Sequence, residues 1–69
     1  MIKFTTVNVD GVRIPRIFMD IDEMKADWND PNGTSLPSMD DQLVSAEVDG
    51  NKFIGKTFAD LVNVLGLDQ

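Results

Sequence analysis

Sixty-nine residues, read as one unit spanning 1–69, suffice for a single small domain with a single core. With no cysteine and no histidine the chain has no disulfide and no usual zinc ligand to staple it, so self-association or a stabilising partner is expected. A net charge of −6 with six unclustered bases argues against direct binding to nucleic acid or to anionic membranes, and no apolar run approaches the about 18 residues of a span.

In chain order, the first predicted element is a β-hairpin. Lys3 to Val9 is rich in Thr, Val and Phe, and Asp10-Gly11 reads as a two-residue turn because glycine tolerates positive φ. That turn pairs Val9 with Val12 and Val7 with Ile14, all on one face, with Asn8 and Arg13 on the wetter one. Pro15 lacks an N–H, so the second strand is an edge or carries a bulge there. The shifted alternation of Ile17, Met19 and Ile21 favours the bulge. A short helix is predicted from Ile21 to Trp28, with Asp20 as N-cap, Glu23 as the capping-box partner, and Met19 with Met24 as a hydrophobic staple. Ile21, Met24 and Trp28 share one face of it. From Asn29 to Asp41 the residues are mostly turn formers and read as a long exposed connection.

The second hairpin echoes the first: Val48-Asp49-Gly50-Asn51-Lys52-Phe53 against Val9-Asp10-Gly11-Val12-Arg13-Ile14. Asp-Gly turns are common enough to arise twice independently, and that reading is preferred over duplication. Ala46, Val48 and Phe53 line one face and Glu47 opposes Lys52 as an ion pair on the other. A C-terminal helix follows, with Thr57 as N-cap, Asp60 completing a capping box, and Phe58, Leu61, Val62 and Leu65 forming an amphipathic stripe. Gly66 is its left-handed stop, with Leu67 placed for the accompanying apolar contact. The segment from Val48 to Leu67 resembles the opening hairpin and first helix of β-grasp sulfur-carrier proteins. Those carriers continue into further strands and a Gly-Gly tail, whereas Asp68-Gln69 follows here, so carrier function does not transfer.

The expected fold is therefore α+β: two hairpins in a four-stranded, mainly antiparallel sheet. A C-terminal helix covers one face, and a short acidic helix plus long loop lies between the hairpins. The expected core is Val7, Val9, Val12, Ile14, Ile17, Val44, Ala46, Val48, Phe53, Phe58, Leu61, Val62 and Leu65.

Charge locates the candidate site. Residues 20–41 hold seven acids (Asp20, Asp22, Glu23, Asp27, Asp30, Asp40, Asp41) and one base, Lys25, which gives −6; five acids and five bases cancel elsewhere. An EF-hand register that sets Gly33 at the sixth position needs ligands from Trp28 and Met39, which cannot serve, so no metal or cofactor is expected. The serines have no histidine to activate them, and no pair of acids stands out as a general acid and base, so no enzymatic activity is expected. The acids with Trp28 instead suggest a partner-binding surface for a protein with a basic face, Trp28 serving as aromatic anchor. Trp28 also reads as core, in line with Ile21 and Met24, and the acids also read as a solubilising face.

The preferred function is a small acidic inhibitor that occupies a basic site on a nucleic-acid-handling protein. By analogy of class it resembles virus-encoded nucleic-acid mimics and anti-CRISPR inhibitors. The alternative is an accessory subunit of a larger assembly, or a homo-oligomer, joined through sheet edges and apolar surface. A cytoplasmic location is expected from the absence of cysteine, the host cytoplasm for a virus-encoded chain.

Overall fold

A computed structural model describes residues 1–30, 32 and 36–67. The elements run β1 (Ile2–Val7), β2 (Arg13–Phe18), α1 (Ile21–Asn29), β3 (Gln42–Val48), β4 (Asn51–Phe53) and α2 (Phe58–Leu65). The architecture is α+β as expected, with one antiparallel sheet ordered β2-β1-β3-β4. Each hairpin is followed by a helix, and the two units meet where β1 pairs with β3.

The first hairpin departs from its prediction by one residue. Asn8, not Val9, stands across from Val12: the Asn8 N–H donates to the Val12 carbonyl at 3.1 Å, and the Gly11 N–H to the Asn8 carbonyl at 3.0 Å. The Asn8 side-chain oxygen also accepts from the Asp10 and Val12 N–H groups at 2.9 and 3.0 Å. The loop is thus three residues long, Val9-Asp10-Gly11, with Gly11 alone at positive φ. Because side chains alternate, a one-residue displacement exchanges the two faces. Ile2, Phe4, Thr6 and Phe18 are buried, while Val9 is 97% exposed, Val12 and Ile17 are exposed, and Val7 is half-buried on the opposite face. Ile14 is half-buried opposite Thr6.

Pro15 does mark an edge, without a bulge, because the β1–β2 register is continuous from Ile2 to Val7. Asn8 donates to Val12, so alternation makes Thr6–Ile14, Phe4–Arg16 and Ile2–Phe18 the hydrogen-bonded pairs. Pro15, opposite Thr5, therefore turns its missing N–H outward, where no ladder bond is lost. The bulge lies in β3 instead. Thr5 faces Ser45 but Thr6 faces Leu43, leaving Val44 as the extra residue. That insertion lets Leu43 and Ala46, three residues apart, both enter the core, and it puts Val44 outside.

The second hairpin forms as predicted. Asp49 (φ 51°) and Gly50 (φ 84°) make the two-residue loop, with Ala46 facing Phe53 and Glu47 facing Lys52. The ion pair of Glu47, however, is with Lys3 on the other side, at 3.9 Å.

Both helices end as their sequences predict. In α1 the Asp20 carboxylate accepts from the Glu23 N–H at 2.9 Å, and Glu23 reaches back to the Met19 N–H at 3.1 Å. Met24 is fully buried, but its expected staple partner Met19 is exposed. In α2 the Asp60 carboxylate accepts from the Lys56 and Thr57 N–H groups at 2.7 and 3.3 Å. A Cβ on Gly55 would stand 2.9 Å from that of Asp60, so the chain can only pass this cap as glycine. Gly66, at φ 71°, ends α2, and the Leu67 N–H bonds the Val62 carbonyl at 3.2 Å with its side chain buried.

One core results. Ile2 and Phe4 of β1, Phe18 of β2, Met24 of α1, Leu43 and Ala46 of β3, and Phe58, Leu61 and Val62 of α2 belong to a single cluster, so both helices cover the same face. Val48, Phe53 and Leu65 pack partly buried against it. The Thr6 hydroxyl is completely buried there with no hydrogen-bond partner among the described residues, a defect costing about 1–3 kcal/mol.

Candidate functional site

The structure divides the seven acids. Asp20, Asp22, Glu23, Asp27 and Asp30 lie on α1 or bound it. Asp40 and Asp41 instead precede Gln42, which pairs with Val7, whereas Asp20 follows Phe18, which pairs with Ile2. The length of β1, about 17 Å at 3.3 Å per residue, separates the two ends. Asp20, where α1 begins, and the Asp40–Asp41 pair thus stand at opposite ends of β1.

Several of these carboxylates have structural duties. Asp20 and Glu23 cap α1, and the Asp30 carboxylate accepts from the Asn32 N–H at 2.9 Å. Asp27 is half-buried and engaged. Asp41 is buried, and the carbonyls of Asp41 and Met39 accept the first N–H groups of α2, from Phe58 and Ala59, at 2.9 and 3.1 Å. With Leu36 also packed on the core, the end of the long connection is tied down rather than fully exposed; Pro31 and residues 33–35 lie outside the described residues. Asp22 and Asp40 are exposed and have no hydrogen-bond or ion-pair partner among the described residues. Trp28 is half-buried and packs against the core with Ile21, so it supports α1 from beneath.

The electrostatics of α1 are unusual at its C-terminal end. Asp22 and Glu23 in the first turn favour the helix dipole, whereas Asp27 and Asp30 stand at the last turn, which contains no basic residue of its own. Segment 20–30 carries five acids and Lys25, a net −4.

A second surface was not expected from the sequence. The sheet face away from the helices carries Lys3, Thr5 and Val7 of β1, Arg13, Pro15 and Ile17 of β2, Ser45 and Glu47 of β3, and Lys52 of β4. Three cations against Glu47 give this face +2. Ile17 remains 63% exposed on it. A shallow hollow of about 450 Å³ opens over its middle, where the short side chains Thr5 and Ser45 lie between Ile17, Pro15, Lys3 and Lys52. The first hairpin places Lys3 and Arg13 on this face, and the β1–β3 pairing adds Lys52 to them. The available signal was Lys3, because its alternation with Phe4 assigns it to the face opposite the core.

Among the described residues no group of three or more acids converges to hold a metal ion, and no helix is long and apolar enough to cross a membrane. No protein-family model, no curated protein and no solved structure matches this chain.

Proposed function

We propose that this chain is a non-enzymatic protein-binding module whose acidic α1 helix occupies a basic surface on another protein, as an inhibitor of a nucleic-acid-handling partner would. The carrying observation is that α1 with its caps holds five acids against Lys25, two of them, Asp27 and Asp30, at its C-terminal end. Asp27 and Asp30 oppose the helix dipole there, at a typical cost of about 0.3–1 kcal/mol per charge. Local choices that work against their own element are concentrated where function requires them. Asp22 and Asp30 lie about 12 Å apart along the helix axis, presenting carboxylates at both ends of one short rod. Trp28 contributes rigidity from below.

The test is capture of a partner from native lysate on the immobilised protein, eluted by a salt step, compared with Asp22→Lys/Asp30→Lys. These positions leave the Asp20–Glu23 cap intact, so the circular-dichroism spectrum should be unchanged while capture is lost. Undiminished capture by the variant would reject the α1 surface.

The second reading, an accessory subunit with its acids serving solubility, is favoured by Ile17 and Val44 standing exposed outside the core. Its partner would remain bound at high salt, whereas an α1 partner would elute.

A further inference from the structure

We infer that the uncovered cationic face of the sheet receives the acidic α1 helix of a second copy of this chain, in a head-to-tail contact. The inference rests on the α1 surface named above and adds the surface that receives it. Charge complementarity supports it first: the sheet face carries +2 and segment 20–30 carries −4.

Dimensions support it next. A nine-residue helix is about 13.5 Å long, and four strands spaced about 4.8 Å apart span about 14 Å. A helix laid across the strands would lie over the hollow at Thr5 and Ser45, with Arg13 and Lys52 reaching its carboxylates. Neither cation has an ion-pair partner among the described residues.

Competing modes of self-association are weaker. Stacking two copies of the sheet face would oppose like charges. The face, about 17 by 14 Å, is also far smaller than the about 800 Å² per partner of a standard stable interface. Edge-to-edge pairing is blunted on β2 by the outward-facing Pro15 and limited on β4 to three residues.

A head-to-tail contact is heterologous, so a pair of copies keeps one free donor surface and one free receiving surface, and copies extend into chains or close into rings. The contact is small and charge-driven, hence weak and salt-sensitive.

The experiment is sedimentation velocity on the full chain over a concentration series to about 1 mM, at about 50 and about 500 mM salt. The wild type should rise above its monomer mass of 7.7 kDa at the lower salt and return to it at the higher. Arg13→Glu/Lys52→Glu and Asp22→Lys/Asp30→Lys should each sediment as monomers alone. Mixed as their neutral counterparts, Arg13→Gln/Lys52→Gln with Asp22→Asn/Asp30→Asn, they restore one intact contact and should give a 1:1 dimer with nothing larger. The neutral pair Arg13→Gln/Lys52→Gln repeats the test with less perturbation should a reversal variant unfold. A wild type that stays monomeric, a variant that still self-associates alone, or a mixture without dimer overturns the inference. Partner capture by Arg13→Glu/Lys52→Glu, in which α1 is untouched, reads the proposed function separately.

Discussion

In the second hairpin Asp49 and Gly50 both adopt positive φ and close a two-residue loop; in the first, the same dipeptide forms only the last two residues of a three-residue loop. The residue before the turn accounts for the difference. Val48 offers no hydrogen-bonding side chain and packs partly buried against the core. Asn8 offers an amide oxygen, which collects the N–H groups of Asp10 and Val12 and draws Val9 into the loop. A turn dipeptide therefore specifies that a hairpin exists, while its neighbour decides the register. Since register assigns faces, one asparagine determines which side of β1 and β2 is core and which side is the cationic surface.

The strongest way to break the comparison is to remove what the two hairpins share. Phe4 of the first stacks on Phe18 with ring centroids 6.2 Å apart and meets Phe58, in the helix after the second, at 5.3 Å. Phe4→Ala should cost about 3–5 kcal/mol, a large part of the stability of a domain this small. Urea denaturation should show a largely unfolded chain. A cooperative transition with its midpoint little changed would mean that the halves do not depend on one core.

A smaller effect isolates the turn itself. Asn8→Ala removes two side-chain hydrogen bonds at an exposed loop and should cost about 1 kcal/mol. Deleting Val9 leaves Asn8 facing Val12 across Asp10-Gly11, which is the loop length of the second hairpin. That deletion preserves the register and removes a side chain that contributes nothing to the core, so stability should change by less than about 0.5 kcal/mol. In the deletion background Asn8→Ala should lose most of its effect, because the loop that the amide organised is gone. Equal costs of Asn8→Ala in both backgrounds would refute the account of the register.

Legibility in the sequence follows the same division. The α2 helix was readable because its cap, stripe and stop all act within ten residues, from Thr57 to Gly66. The first hairpin misled because polar Thr6 is buried while apolar Val9 is exposed, so its alternation points the wrong way. Leu43 was missed because a bulge carries it inward, and a bulge depends on which strand lies opposite. For the site, the acids on α1 were readable from their order alone. The placing of Asp20 and the Asp40–Asp41 pair at opposite ends of β1, and the addition of Lys52 to the face of Lys3 and Arg13, depend on the β1–β3 pairing, which no local pattern contains.

The smallest effect compares the two helix caps. Glu23 accepts one backbone N–H outside its helix, and Asp60 accepts two. The hydrogen bond from the Lys56 N–H, then that from Thr57, holds the Asp60 carboxyl below the usual aspartate range. A carboxyl depressed in the folded state stabilises the fold at pH values above its unfolded pKa, near 4, and that contribution disappears as pH falls through the folded value. Asp60→Asn should therefore lower the thermal midpoint at about pH 7, with wild type and variant converging toward about pH 2. The effect is modest because Asp60 is exposed and screened by solvent. A constant gap between the two across that range would show that the amide fails for steric reasons and that the charge of Asp60 contributes nothing to the cap.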